Sequence, residues 1–336
     1  MHLLGSAVAS HRIARREFVA LIVGAALYQR DARAQQVAKV YEIGILYPGP
    51  QGAMPPRITA IRSGLRAGGL QVEQFEVVSR AAGGDPANLS SLAADLVSRN
   101  VDVICALSPA AVRSAKKATA KIPIVAIDLE SDPVDAGFIA SVTRPDGNVT
   151  GLFLDFRDFS KKWLEVLKEA LPQLKIVAVL WDPATGPYQL KSVKAAAETL
   201  GITLVVLKVS RHGDLEPAFD ATIEKNAGAV LMLSSPVIAA DTKLLAGLAL
   251  QHKLPSITLY SEFARDGGLM SYGPNLLGMI RQAGVMTAKI LLGASPATTP
   301  IEVPAKFQFV LNLKTAKAIG LNLPPAVLLR ADEVIE

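Results

Sequence analysis

The chain has 336 residues, half of them hydrophobic, with a formal net charge of +5 and a pI near 9.2. Its Lys and Arg are interspersed with Asp and Glu without a basic block, which argues against a nucleic-acid footprint. The single cysteine, Cys105, excludes an internal disulfide, and the length is enough for two hydrophobic cores of ordinary domain size.

At the N-terminus, Arg15-Arg16-Glu17-Phe18-Val19 leads into an apolar run that ends at Leu27, and Ala32-Arg33-Ala34 stands before Gln35. A paired-arginine start, a short h-region and an A-x-A site are the three parts of a secretory signal. The run is shorter than the roughly 20 apolar residues of a spanning helix; an N-terminal amphipathic helix is the alternative. The expectation is a twin-arginine-like signal peptide over 1–34 and a mature, periplasmic chain that begins near Gln35 and does not span the membrane. The segment holds five arginines against Glu17 and Asp31, a surplus of three, so the net charge of +5 falls to +2 without it. No cysteine follows the cleavage site, so lipid anchoring is not indicated. Cys105 sits in the apolar run 101–107 and reads as a buried, inert thiol.

From Val40 onward, β-branched runs alternate with helical spacing. The first block predicts strands at Tyr41–Leu46, Val72–Val78, Val101–Leu107 and Ile122–Ile127. Helix faces lie between them at Ile58/Ile61/Leu65 and Leu89/Leu92/Leu96, with a further helix to Ala118. The second block opens with a helix face at Trp163/Leu167/Leu171. Strands follow at Ile176–Trp181, Ile202–Val209, Ala229–Leu233 and Ser256–Tyr260. Leu190/Val193/Ala197/Leu200, Leu215/Phe219/Ile223 and a stretch to Gln251 supply the helices between them. Near-continuous apolar strands mark sheets covered on both faces. The fold class is therefore α/β, with two doubly wound parallel-sheet lobes. A third portion, a strand-like piece at 268–272, a helix through Ile280, Ala283, Thr287 and Ile290, and the extended run Phe307–Leu313, is too small to fold alone. It reads as elements returned to both lobes, with several hinge crossings.

Three junctions share one design: Ser108-Pro109, Asp182-Pro183 and Ser235-Pro236 each place a capping residue before a proline directly after a strand. Plain helix starting explains any one of them. Ligands in open parallel sheets bind beyond the carboxyl ends of the strands, where helix N-termini offer N–H groups to an anion. Three such ends facing one another would form a cleft. Tyr47, Asp128, Trp181, Tyr260 and Glu262 also stand at strand ends, as ligand walls or as caps of their own lobes' cores. Asp128 and Glu262 are candidates to pair with a cation, or simply surface carboxylates. Gly-x-Gly-x-x-Gly does not follow the first strand, which disfavours a dinucleotide cofactor. A P-loop, Gly-x-Ser-x-Gly and His-Glu-x-x-His are also missing, and beyond the leader only His212 and His252 remain for a triad or a metal site. These gaps disfavour an enzyme, and no cofactor or metal is expected.

Longer strings carry a resemblance. Residues 267–275 (GGLMSYGPN), 307–321 (FQFVLNLKTAKAIGL) and 328–335 (LLRADEVI) resemble the substrate-binding proteins of ABC transporters related to tryptophan- and tyrosine-binding lipoproteins. So do Ile122-Pro123-Ile124-Val125, Asp132-Pro133-Val134, residues 145–151 (PDGNVTG) and the leader. The resemblance covers essentially the whole chain. It implies a type I periplasmic binding fold, a Venus flytrap with three hinge crossovers near Gly151, Gly268 and Ala305. The lobes would then be 35–151 with 268–305, and 152–267 with 306–336. It also implies a small polar ligand, an amino acid among the options, delivered to an inner-membrane ABC permease with its ATPase. Ser108-Pro109-Ala110 matches the family's first-lobe loop, where a ligand carboxylate would be held. The second-lobe junction more often shows Asn-Pro; Asp182-Pro183 here suits an amine or several hydroxyls, or simply capping. Tyr47-Pro48-Gly49 replaces small hydroxyl residues, and Ser234-Ser235 stands where an acidic residue is often found. The alternative role is an extracytoplasmic sensor reporting to a separate signalling partner.

Overall fold

The structure, a computed structural model, describes residues 39–154, 156–304 and 306–336. The expected leader, 1–34, lies outside the described residues. The first lobe is built on five parallel strands: β1 (Tyr41–Tyr47), β2 (Phe75–Ala81), β3 (Val103–Leu107), β4 (Ile124–Asp128) and β5 (Val149–Phe153). They are ordered β2-β1-β3-β4-β5. Every residue of β3 and β4 is buried, as their unbroken apolar runs require in a sheet covered on both faces. Helices α1 (Met54–Ala67), α2 (Leu89–Ser98) and α3 (Pro109–Ala118) make the crossovers. Leu89, Ala93 and Leu96 of α2 and Val112 and Ala115 of α3 pack on one face; Ile61 and Leu65 of α1 pack on the other. Cys105 lies inside this sandwich, and burial pushes its thiol pKa up to about 11, so the inert thiolate-free state is the one present.

The second lobe runs α4 (Phe156–Ala170), β6 (Ile176–Trp181), α5 (Tyr188–Leu200), β7 (Thr203–Lys208), α6 (Leu215–Glu224), β8 (Ala229–Met232), α7 (Pro236–Ala240), α8 (Thr242–Gln251), β9 (Ser256–Thr258), α9 (Ser261–Arg265) and β10 (Met270–Pro274). Helix α10 (Leu276–Leu291) then returns to the first lobe. The chain comes back once more as β11 (Phe307–Asn312), α11 (Leu313–Ala318), α12 (Pro325–Leu329) and β12 (Glu333–Ile335). The second sheet has seven strands in the order β12-β11-β10-β9-β8-β6-β7, with β10 and β11 antiparallel and the other pairs parallel.

The hinge positions follow from this pairing. The first passage comes after β5 ends at Phe153, a strand that the alternation of runs alone does not announce. The second follows Pro274 rather than Gly268, because residues 270–274 pair with β9 and with the distant β11 and so stay in the second sheet. The third lies between Glu302 and Phe307. Leu152 and Glu302 form a bridge there, with Phe153 N–H donating to the Glu302 carbonyl and Glu302 N–H to the Gly151 carbonyl, both at 3.0 Å. Helix α10 is held to α1 by a close glycine crossing. A Cβ on Gly64 would strike the Arg281 carbonyl and lie 2.8 Å from the Gly284 Cα. The expected strand over Val72–Val78 begins only at Phe75, because Val72–Gln74 is a 3-10 turn closed by reciprocal Gln71–Gln74 capping. No helix among the described residues is long and apolar enough to cross a membrane.

Candidate functional site

Each sheet reverses its strand order once. In the first lobe the reversal lies between β1 and β3, and in the second between β6 and β8. Crevices open at such switch points, beyond the carboxyl ends of the strands. β1 ends in Tyr47 and β3 runs into Ser108; β6 runs into Asp182 and β8 into Ser234-Ser235. The two switch points face each other across a cleft of about 380 Å³, within the range of small-molecule sites. Pro48, Gly49, Ser108 and Ala110 line it from the first lobe, and Asp182 and Val237 from the second.

The three cap-proline junctions are each formed, with different outcomes. Ser108 Oγ accepts from Ala111 N–H at 3.3 Å and opens the ten-residue α3. Ser235 Oγ accepts from Ile238 N–H at 3.2 Å, but α7 is a single turn. Asp182 Oδ1 accepts from Ala184 N–H at 2.9 Å and opens only a 3-10 turn, because Gly186 at φ +93° ends it before α5. Thus one full helix N-terminus, not three, meets the cleft. Burial pushes the Asp182 carboxyl up to about 6, against the lowering effect of the Ala184 N–H. Ser108 carries a φ of +110°. A non-glycine residue there stores about 1–3 kcal/mol of strain, and such strain concentrates at ligand clamps.

The inner end of the cleft is a second, narrower space shared by both lobes. Glu130, buried at 4% exposure on the first-lobe loop after β4, reaches across to Ser234. Glu130 Oε1 lies 2.7 Å from Ser234 Oγ, Ser234 Oγ lies 2.8 Å from Tyr260 Oη, and Tyr260 donates to the Ser235 carbonyl at 3.1 Å. Ser234 Oγ donates to Glu130 Oε1, and either hydroxyl can donate in the Ser234–Tyr260 contact. Glu130 Oε2 then accepts from Leu129 N–H at 3.3 Å. Burial, and next the neighbouring Asp128 charge, hold the Glu130 carboxyl well above the usual carboxylate range. Asp128 is the ionised member of the pair. It accepts from Glu130 N–H at 2.8 Å, from Ser131 N–H at 3.0 Å and from the Ser131 hydroxyl, three bonds that favour its anion. A second bond between the lobes runs from Arg113 Nη2 to the Ala184 carbonyl at 2.7 Å. The structure is a closed clamp.

The residues expected at strand ends separate accordingly. Ser108, Pro109, Ala110 and Asp182 line the outer cleft; Tyr47 and Tyr260 line its inner end. Ser235 is fully buried and meets the site through its carbonyl and its cap. Asp128 lies beneath the cleft, folding the loop that aims Glu130. Trp181 turns inward along its own lobe, where Nε1 donates to the Gly186 carbonyl at 3.1 Å. Glu262 is exposed on α9, and neither it nor Trp181 lines the cleft. Sequence reading missed Arg57, Glu130 and Arg113. Glu130 follows a strand by two residues and had a signal of the same kind as Asp128. Arg57 and Arg113 are single arginines on amphipathic helices, with no local mark.

With this geometry in place, comparison with known proteins assigns the family. A tyrosine-binding protein of Clostridioides difficile is 25% identical over 240 residues, which are 71% of this chain and 68% of that one. A conserved domain protein of Vibrio cholerae has a solved structure that superposes with a TM-score of 0.81 at 26% identity, over 88% of this chain and all of that one. A Streptococcus pneumoniae ABC domain solved with L-Trp gives a TM-score of 0.80 at 23% identity, with the same coverage, and is similar in fold. The family model described as ABC transporter substrate binding protein matches residues 42–335. Two α/β lobes, three hinge passages and a cleft at facing switch points are thus those of a member of the ABC transporter substrate binding protein family, to which this chain belongs.

Proposed function

We propose that this protein is the extracytoplasmic solute-binding component of an ABC importer, and that it captures a small amino acid-like ligand between its lobes by hinge closure. The observation that carries this reading is the cleft itself, polar groups from both lobes converging on a space of about 380 Å³. Ser108 and the Ala110 N–H in the first turn of α3 offer donors from the first lobe. Asp182 offers an acceptor from the second, suited to an amine or hydroxyl. Tyr47 and Tyr260 close the inner end. The name of the C. difficile relative favours an amino acid over a sugar. The ligand leaves as it entered, with no bond made or broken.

Closure must favour the bound state, since a ligand shifts a conformational equilibrium only by its differential affinity. A permease in the membrane with its ATPase would then receive the closed form. The test is thermal unfolding of the purified protein against L-amino acids, sugars and polyols. A solute at 100 times its Kd should add about 2.7 kcal/mol to folding. Stabilisation by sugars alone would overturn the amino acid, and stabilisation by no solute would overturn capture at this cleft.

A further inference from the structure

Beyond Ser108 the cleft narrows to a space of about 40 Å³ lined by Tyr47, Arg57, Ser108, Glu130 and Tyr260 with apolar neighbours. A water needs about 10–15 Å³ by this measure, so the space suits about three non-hydrogen atoms, the size of a carboxylate group. Two groups in it have bonding capacity left over. Arg57 is 9% exposed, its Nη1 donates to the Ala53 carbonyl at 2.6 Å, and its guanidinium sits 4.7 Å above the Tyr47 ring. Among the described residues it meets no carboxylate. The Tyr47 hydroxyl, on a residue 4% exposed, has no hydrogen-bond partner among the described residues. Its phenol is packed over Gly49, where any Cβ would collide with the ring.

Of the other polar groups, Tyr260 gives its proton to the Ser235 carbonyl, Glu130 accepts from Ser234, and Ser108 Oγ accepts from Ala111 N–H. Arg57 is the cationic side chain among the lining residues. A buried guanidinium with donors to spare and a buried phenol without an acceptor call for an anionic oxygen pair. We infer that Arg57 and the Tyr47 hydroxyl form a carboxylate subsite, and that the ligand is a small carboxylic acid whose head enters the inner end while its body fills the outer cleft. This rests on the capture proposed above and deepens it. An ammonium would face Arg57 and is disfavoured there.

The subsite can be probed with sodium acetate on the full chain, independently of the natural ligand. Against sodium chloride at equal ionic strength, about 50 mM acetate should raise the Tm by about 2–4 °C, for a fragment Kd of about a few mM. Acetamide, of the same shape but uncharged, should give no rise. Tyr47→Phe should weaken acetate roughly tenfold and Arg57→Met roughly a hundredfold. No acetate shift in the wild type, an equal shift with acetamide, or an undiminished shift in Arg57→Met would overturn the subsite. If Arg57→Met does not fold, an undiminished shift in the isosteric Tyr47→Phe decides against it. L-Tyrosine and tyramine, which lacks the carboxylate, form the second arm. Binding of both with equal affinity would overturn the subsite and leave capture standing. An acetate shift without stabilisation by any amino acid would leave the subsite standing and remove the amino acid reading.

Discussion

Replacing Glu130 by Gln should leave the closed form standing and remove a pH dependence from it. Glu130 is buried, and burial together with the Asp128 charge holds its carboxyl above the usual range. In the unfolded chain the same carboxyl titrates near about 4.3. A pKa raised on folding means that the native state favours the acid form. That stabilisation is complete below the unfolded pKa and is lost as pH rises through the folded one. Between the two, the native protein holds one more proton than the unfolded chain, so stability falls by up to about 1.4 kcal/mol per pH unit. Asp182, pushed up to about 6 by burial, and Asp128, also raised by burial, add slopes of the same sign. The difference between wild type and variant isolates Glu130. The Gln amide is neutral at every pH, and its Oε1 can accept from Ser234 Oγ as Glu130 Oε1 does. Near about pH 5 the two proteins should therefore agree within about 1 kcal/mol. The variant should be the more stable by about pH 8, by an amount that grows with the native pKa. Urea unfolding at steps across that range, with m-values compared, is the assay. Parallel stability curves for the two proteins would refute an acid-form Glu130. A variant several kcal/mol weaker at every pH would show instead that the carboxylate charge holds the lobes together.

At Ser108, whose φ is +110°, Gly should exceed Ala in stability by about 1–3 kcal/mol in denaturant unfolding, because Ala keeps the strain and loses the cap while Gly relieves it. Ordinary sites show the opposite order by about 0.4–1 kcal/mol, so an Ala variant as stable as the Gly one would refute strain there. Small-angle scattering of Glu130→Ala, which breaks the Glu130–Ser234 contact, should give a larger radius of gyration that shrinks on adding a solute found to stabilise the protein; a radius equal to that of the wild type without solute would count against a hinged clamp. Mass spectrometry of the exported protein should find an N-terminus at Gln35, and a mature chain retaining Phe18 to Leu27 would overturn the signal peptide. Arg15→Lys with Arg16→Lys should block export by the twin-arginine route, and unchanged export would assign the general secretory route.

What the residues determine by themselves is local and periodic. The unbroken apolar runs of β3 and β4 announce strands buried on both faces. Ile280, Ala283, Thr287 and Ile290 announce one buried helix face, and all four are buried on α10. Ser108-Pro109 and Ser235-Pro236 announce helix starts, because a cap and its proline act over three or four residues. Only tertiary structure decided which sheet takes residues 270–274, since their partner β11 lies some 35 residues on and pairs across a hinge. Strand-end position likewise fixes where the backbone leaves the sheet, not where a side chain points. Tyr47 and Tyr260 turn into the cleft, while Trp181 folds back on Gly186 and Glu262 faces solvent. Arg57 carries no mark in sequence, because one arginine on an amphipathic helix reads as a solvated face. Its meaning comes from the fold, which buries the guanidinium over the Tyr47 ring.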